Sequence, residues 1–210
     1  MRATPPPRRP RRAERRAFAA RLGAALALLV VGRHAGAAAA FDLAALTALL
    51  ARVRSGEARF TESRSVRVLD QTLTSSGRLS YRAPDVFVRE TLAPWPETLS
   101  VDGNTLTVGR GGRTRTMQLD ASPEAAVIVE AIRGTLTGNR ATLERVFETA
   151  VRGDAQRWTL ELTPRDPRLR GQVASVRVSG RESTVREVQV QLADGDRSVM
   201  TIEPAGSAAR

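Results

Sequence analysis

Apolar residues change their spacing three times along the chain, and each change marks a different kind of element. From Asp42 to Arg54 they recur at helical spacing, and Asp42 is a suitable N-cap for a helix that Gly56 would end. From residue 57 the spacing becomes two, as in strands with one buried face. This pattern predicts six strands, at residues 57–69, 73–81, 86–91, 98–101, 105–108 and 114–119.

Helical spacing then returns for one stretch in the middle of the chain. Ser122-Pro123-Glu124 is a typical helix start, with serine as N-cap and proline at the first helical position. We predict a helix over residues 124–132 that ends at Gly134, followed by a shorter helical turn over residues 141–145. Strand spacing resumes in five further segments, at residues 147–151, 158–163, 173–178, 185–192 and 199–203.

Eleven short strands joined by tight turns, such as Asp102-Gly103-Asn104, favour an antiparallel meander. Such a sheet curls because curling removes exposed edges. The predicted fold class is therefore mainly β (α+β), an unclosed antiparallel half-barrel of about 11 strands. Two or three helices would cover its concave face, where their apolar sides can be buried. We expect a single domain over residues 41–204 and a flexible tail over residues 205–210.

Charge is concentrated at the N-terminus. Residues 1–40 carry a net charge of +8, whereas the remaining 170 residues carry only +3, so we expect no nucleic-acid partner and a monomer. The first 40 residues begin with arginines, continue with a short apolar run at residues 22–31 and end with small residues up to Ala40. This order predicts a secretory signal peptide cleaved near Ala40. We therefore expect a periplasmic protein. The alternative to a signal peptide is a disordered basic tail. The pair Arg15-Arg16 also leaves open whether export uses the general or the twin-arginine route.

Several classes of active site are excluded by residue types that the chain lacks. There is no cysteine and no lysine, and the only histidine, His34, lies in the predicted signal peptide. Thiolate or histidine metal sites, serine–histidine triads and Schiff-base chemistry therefore have no residues to use after cleavage. A pair of carboxylates could still hydrolyse glycosides, but acids on a domain of this size are mostly solvated. We predict neither catalysis nor a cofactor nor a metal.

Five short motifs, taken in order, resemble a known family, the periplasmic outer-membrane lipoprotein carrier proteins. They are Phe60-Thr61-Glu62, where carriers usually show Phe-x-Gln, and Gly77-Arg78-Leu79. The next three motifs are Pro84-Asp85-Val86-Phe87, the hairpin from Asp102 to Leu106, and the strand from Trp158 to Pro164. The chain is similar to a divergent member, because each motif alone is short and only their order is characteristic.

The resemblance implies an unclosed barrel whose apolar cavity shields the acyl chains of a lipoprotein or a related lipid. It implies an inner-membrane donor and an outer-membrane acceptor as partners. Residues of the apolar strands and of the second helix would line the cavity, with ordinary core packing as the alternative for each. The proposed lining residues are Leu79, Tyr81, Phe87, Trp95, Leu99, Val101, Leu106, Val127, Ile128, Ile132, Trp158 and Leu160.

The sequence departs from the family pattern at the arginine that often precedes the Pro-x-x-Phe element and helps to hold the lid closed. Ala83 stands at that position, and Arg82 is one residue earlier, on the opposite face of a strand. Arg82 and Arg89 are the candidate latch residues, and Arg133 is a further substitute, with a solvated surface arginine as the alternative for Arg89 and Arg133. The main alternative function is a lipid- or peptide-sensing regulatory module of the cell envelope that acts through a partner protein.

Overall fold

The computed structural model describes residues 41–67 and 71–205 of the 210-residue chain. The predicted signal peptide and its cleavage site near Ala40 lie outside the described residues. So do Val68 and Leu69 at the end of the first predicted strand, and residues 206–210 of the predicted tail.

Within the described residues, the sheet contains eleven strands, as the alternating pattern predicts. Most strands extend a few residues beyond the predicted segments, because backbone pairing continues past the last apolar side chain. Their bounds are β1 Ser55–Val66, β2 Gln71–Arg82, β3 Val86–Ala93, β4 Glu97–Asp102, β5 Thr105–Arg110, β6 Arg113–Gln118, β7 Phe147–Asp154, β8 Arg157–Pro164, β9 Val173–Arg181, β10 Thr184–Leu192 and β11 Arg197–Pro204.

The strand order is β6-β5-β4-β3-β2-β1-β11-β10-β9-β8-β7, and every neighbouring pair is antiparallel. Two meanders, β1–β6 and β7–β11, are thus joined in the middle of the sheet by pairing between the first and the last strand. Strands β6 and β7 lie at opposite edges and do not pair with each other. The sheet is therefore open, and the predicted mainly β, unclosed half-barrel is confirmed.

Four α-helices accompany the sheet in the described part of the chain: α1 Leu43–Leu50, α2 Pro123–Thr137, α3 Arg140–Val146 and α4 Pro167–Arg170. The Asp42 side chain accepts a hydrogen bond of 2.9 Å from the Ala45 backbone, as its N-cap role predicts. The predicted end of α1 is wrong, because Gly56 lies in β1. A single turn such as α4 is too short for its apolar spacing to be recognised in the sequence.

Helix α2 also ends later than predicted. It continues through Gly134 to Thr137 and is closed by Gly138, whose φ of 64° is left-handed. Gly134 serves packing instead, because a Cβ there would lie 2.6 Å from a Leu143 methyl group of α3. A glycine that permits close contact and a glycine that ends a helix cannot be distinguished from local sequence alone.

The concave face of the sheet is filled unevenly. Over β7–β9 the helices α1, α2 and α3 bury a large cluster that includes Leu46, Leu143, Phe147, Trp158 and Leu160. Over β4 and β5 a smaller cluster forms around Val101, Leu106 and Leu119, and one side of α2 packs against it. Between these two clusters the sheet is not covered by tightly packed side chains.

Candidate functional site: a cavity under helix α2

A cavity of about 690 Å³, partly open to solvent, lies between helix α2 and the middle of the sheet. Strands β1 to β5 form one wall and strands β10 and β11 form the other. Helix α2 contributes Ala125, Ile128, Val129, Ile132 and Leu136 as a roof. The wall is mostly aliphatic, so the space suits an apolar ligand.

Eight of the twelve residues proposed from the sequence lie on this wall. Six of them come from neighbouring strands whose register places them on the same face. For example, Tyr81 of β2 lies opposite Phe87 of β3, and Phe87 lies opposite Val101 of β4. The eight are Leu79, Tyr81, Phe87, Leu99, Val101, Leu106, Ile128 and Ile132.

The other four proposed residues lie elsewhere. Trp95 occupies the turn between β3 and β4, where it is 63% exposed and outside the cavity. Val127, Trp158 and Leu160 point into the filled part of the concave face and belong to the packed cluster. Trp158 also donates its indole N–H to the Glu182 carbonyl at 2.8 Å, and its ring covers Gly180.

The candidate latch arginines are placed differently from one another. Arg82 is exposed at the end of β2. Arg89 lies on the cavity wall, and its hydrogen-bond partners Glu62 and Ser75 belong to the sheet rather than to a helix. It is Arg133 of α2 that joins a helix to the sheet, because its guanidinium donates to the Gly103 carbonyl in the β4–β5 turn.

A polar cluster stands on the otherwise apolar wall. Glu62 of β1 is only 14% exposed and pairs with Arg89. It also accepts hydrogen bonds from the hydroxyls of Ser75 and Ser198. The Arg89 guanidinium lies 4.8 Å from the centre of the Phe60 ring, a cation–π distance. The cluster is thus internally neutral and tightly held.

A second ion pair lies at the end of the cavity where β11 begins. Asp196 is buried and accepts a hydrogen bond of 3.0 Å from the backbone of Arg67. Its other oxygen lies 3.5 Å from the Arg64 guanidinium, which is half exposed. Because both partners are engaged, this pair offers no free charge to the cavity.

Tyr81 has a buried hydroxyl on the cavity wall. Its ring stacks on Phe87 with the ring centres 5.2 Å apart. Burial raises the pKa of the phenol, and Asp85 adds to this effect while Arg54 opposes it. The hydroxyl is therefore protonated at neutral pH and can donate a hydrogen bond.

Sequence reasoning missed the half of the wall that comes from β10 and β11, as well as Glu62. These strands were recognised by their alternation, but that pattern does not show which strand pairs with β1. Glu62 was noted only as part of a motif, and alternation with Phe60 was the available indication that it faces inward. The aliphatic and methionine side chains that β10 and β11 contribute to the wall are Val185, Val188, Val190, Leu192, Met200 and Ile202.

The described part of the chain contains no group of three or more histidine, cysteine or acidic residues that could hold a metal ion. Among the helices of residues 41–67 and 71–205, none combines the length and the apolar character needed to span a membrane.

Comparison with solved structures returned matches at very low sequence identity. A LolA superfamily protein from Nitrosomonas europaea is 10% identical, with a TM-score of 0.42, covering 77% of this chain and 91% of that one. A DUF1329 family protein from Desulfovibrio piger is 11% identical, with a TM-score of 0.45 and coverages of 80% and 92%. A putative outer membrane lipoprotein-sorting protein domain from Vibrio parahaemolyticus is 9% identical, with a TM-score of 0.37 and coverages of 75% and 88%.

No curated protein sequence matched the chain significantly. The family described as outer membrane lipoprotein carrier protein LolA-like matches residues 35–210, which include every described element of the fold. This match confirms the resemblance stated from the motifs. The chain belongs to the outer membrane lipoprotein carrier protein LolA-like family.

Proposed function

We propose that this protein is a periplasmic carrier that holds the acyl chains of a lipoprotein, or of a related lipid, in the cavity under α2 and passes them from the inner to the outer membrane. The observation that carries this proposal is the aliphatic cavity between two packed clusters. A folded protein rarely leaves so much apolar wall unfilled without a ligand to cover it.

The physical chemistry of acyl chains supports the same function. Burying each methylene group contributes about 0.8 kcal/mol, so a long chain does not stay in water when an apolar cavity is open to it. Binding of this kind needs no nucleophile and no metal. Family membership supports the carrier role, whereas the donor and acceptor membranes and the periplasmic location rest on the N-terminal sequence pattern and on the family.

The experiment is native mass spectrometry of the chain expressed in a Gram-negative host and purified from its periplasm, with lipid extraction of whatever is bound. We expect acyl lipid or acylated lipoprotein to co-purify. A ligand-free mass, with no uptake of added acyl lipid, would contradict the proposal. Co-purification of one defined protein partner without lipid would favour the regulatory alternative.

A matched pair of variants on β11 tests whether the lipid occupies this cavity. Ile202 lines the cavity, and Thr201 beside it is exposed on the other face of the strand. Ile202→Glu places a carboxylate on the apolar wall and should reduce bound lipid at least tenfold. Thr201→Glu adds the same charge outside and should leave it unchanged. Equal lipid content in both variants would place the lipid elsewhere.

A further inference from the structure

The first residues of β2 have a strand neighbour on one side only. Pairing between β1 and β2 continues as far as Val66 opposite Gln71. Pairing between β2 and β3 stops short of this, where Ser76 lies opposite Ala93. Residues 71–75 therefore leave one edge of their backbone without a strand partner, and most of them are exposed. We call this stretch the open edge of β2.

The neighbouring chain does not cover the open edge. Leu92 is the extra residue of a bulge at the end of β3, and a bulge of this kind can terminate pairing. The turn that follows is Pro94-Trp95-Pro96, whose two prolines have no N–H to donate. Among the described residues, no backbone hydrogen bond joins this turn to residues 71–75. On the other side of the hairpin, by contrast, β11 pairs with β1 as far as Ser65.

The open edge of β2 differs in charge from the two outer edges of the sheet. Strand β6 carries Arg113 and Arg115, and strand β7 carries Glu148, Arg152 and Asp154. Charged side chains on an edge strand discourage pairing with another chain. The open edge reads Gln-Thr-Leu-Thr-Ser, with no charge and no proline. It therefore lacks the features that protect an edge against the addition of a strand.

The same region exposes apolar side chains. The large hydrophobic side chains that are exposed within the described residues are Leu73, Leu92 and Trp95. Leu73 belongs to the open edge, and the other two lie at the end of β3 and just beyond it. They flank the place that β3 would occupy if it continued along β2. A strand added there would bury apolar surface in addition to pairing its backbone.

The open edge also lies beside the cavity. Leu73 is directly opposite Arg64 of β1, so the two side chains point to the same face of the sheet. Arg64 lines the cavity. Alternate side chains of an added strand would point to this same concave face. A polypeptide bound along the open edge would therefore be close to a ligand that occupies the cavity.

We propose that the open edge of β2 binds the polypeptide segment attached to the acyl group of the cargo, as an additional β-strand. This inference rests on the proposed carrier function and specifies an acylated polypeptide, rather than a free lipid, as the cargo. Backbone amides at strand spacing can pair with the whole row of N–H and C=O groups along the edge. A lipid could cover the apolar side chains but would leave this row to water.

The test compares 1-palmitoylglycerol with an N-palmitoylated hexapeptide of alternating alanine and threonine that ends in a neutral ethylene-glycol tail. Both probes carry the same acyl group, and only the second has a polypeptide backbone. Affinities are measured by displacement of N-phenyl-1-naphthylamine from the protein purified from periplasm. Two or more additional hydrogen bonds should make the lipopeptide bind at least about tenfold more tightly. It should also slow amide hydrogen exchange at residues 71–75, whereas 1-palmitoylglycerol should not.

Two N-methylated versions of the lipopeptide form a matched pair. One is methylated at its second and fourth residues and the other at its third and fifth, so each loses two N–H donors. Successive residues of a strand direct their N–H groups to opposite sides, and only one set can face β2. We expect one version to bind about as weakly as 1-palmitoylglycerol and the other to bind about as tightly as the unmethylated lipopeptide.

A matched pair of variants locates the binding strand. Leu73→Glu places a charge on the open edge, opposite Arg64, and should reduce the preference for the lipopeptide to about threefold or less. Thr114→Glu places the same charge on β6, where Thr114 is exposed, and should leave the preference unchanged. Both variants should bind 1-palmitoylglycerol as the unmodified chain does, which also shows that they are folded.

The outcomes distinguish this inference from the carrier function. Equal affinities for the two methylated lipopeptides, or unchanged exchange at residues 71–75, would overturn strand addition and leave the carrier intact. Slower exchange at these residues with anionic phospholipid vesicles alone would assign the apolar patch to a membrane surface instead. Failure of all probes to displace the dye, together with a lipid-free purified protein, would overturn the carrier function as well.

Discussion

Gly77 shows how one residue shapes the floor of the cavity. A Cβ at this position would lie 1.9 Å from the Glu90 carbonyl oxygen of the next strand and 2.9 Å from the Phe60 ring. Its absence allows β3 to approach and lets the Phe60 ring lie over β2, where it supports Arg89. The glycine of the Gly-x-Leu motif therefore has a steric role that its place in the sequence did not reveal.

Gly138, which ends α2, lies against the last turn of α1. Gly138→Ala should lower the free energy of unfolding by at least about 2 kcal/mol, because a left-handed residue other than glycine costs about 1–2 kcal/mol and steric overlap adds to this. The new Cβ would lie 2.2 Å from the Thr47 carbonyl oxygen of α1. Denaturant unfolding measures the change.

Gly111 supplies the matched control for that substitution. Its φ of 57° is close to the 64° of Gly138, but nothing lies within 4 Å of the position of its Cβ. Gly111→Ala should therefore cost only the conformational part, about 1 kcal/mol. Equal losses of unfolding free energy in the two variants would show that steric overlap with α1 adds nothing to the cost of Gly138→Ala.

Tyr81 gives a prediction about pH. Burial raises the pKa of its phenol in the folded state. Below the unfolded pKa the phenol is neutral in both states, so stability is unaffected there. As pH rises above that value the unfolded chain ionises first, and stability falls until the folded pKa is passed.

Tyr81 is the only tyrosine in the chain, so the ultraviolet absorbance of its phenolate reports this one residue. We expect the titration midpoint of the folded protein to lie above that of the protein in denaturant. Coincident midpoints in folded and denatured protein would contradict the burial of the hydroxyl.

Among the elements, helix α2 determines whether the cavity is covered. Arg133 holds it to the β4–β5 turn through the Gly103 carbonyl and also pairs with Glu130 one turn earlier at 2.8 Å. Its side chain is largely buried, so the bond is shielded from water. We infer that this contact restrains the helix over the cavity. Of the three arginines that the sequence offers as latch residues, Arg133 rather than Arg82 or Arg89 would then hold the lid closed.

Arg133→Met removes that contact while keeping most of the aliphatic length of the side chain. We expect amide hydrogen exchange in α2 and release of bound acyl lipid to become roughly tenfold faster, since a hydrogen bond to a charged donor is worth about 1.5 kcal/mol or more. Both rates can be measured on the same protein, by exchange mass spectrometry and by transfer of lipid to vesicles.

Two other arginines serve as controls. Arg82 is exposed at the end of β2, and Arg140 lies on α3 with its ion pair to Glu144 exposed. Arg82→Ala and Arg140→Met should leave exchange in α2 and lipid release unchanged. If either variant released lipid as fast as Arg133→Met, the specific contact with Gly103 would not be what restrains the helix.

For the whole molecule, the volume of the cavity limits the cargo. A methylene group is about as large as a water molecule, which occupies roughly 30 Å³, so a cavity with about 690 Å³ open to the centres of such groups holds at least roughly two dozen methylenes. That is enough for one long acyl chain. A cargo with three long chains has more methylenes than this, and the roof formed by α2 is the wall that can move to admit them without breaking the sheet.

We therefore expect one molecule of 1-palmitoylglycerol per chain at saturation in native mass spectrometry. A triacylated lipopeptide should bind only with faster hydrogen exchange in α2, whereas the central strands β1 and β11 should keep their protection. Binding of three long chains with no change in exchange would contradict the idea that the roof must move.

The sequence by itself determined the elements and much of one cavity wall. Strict alternation placed Leu79, Tyr81, Phe87, Leu99 and Val101 on one face, because the side-chain period of a strand is a local property. The turn at Asp102-Gly103-Asn104 predicted the hairpin of β4 and β5. The mainly β class, the number of strands and the covering helices followed from the same local patterns.

Only the tertiary structure decided which inward-facing residues meet a helix and which meet a cavity. Trp158 and Leu160 face inward like Phe87, yet α1 and α3 fill the space above them. Val127 and Ile128 are neighbours on α2, but Val127 packs into the core whereas Ile128 lines the cavity. The pairing of β1 with β11 and the docking of the helices are contacts between distant segments, and local periodicity carries no information about them.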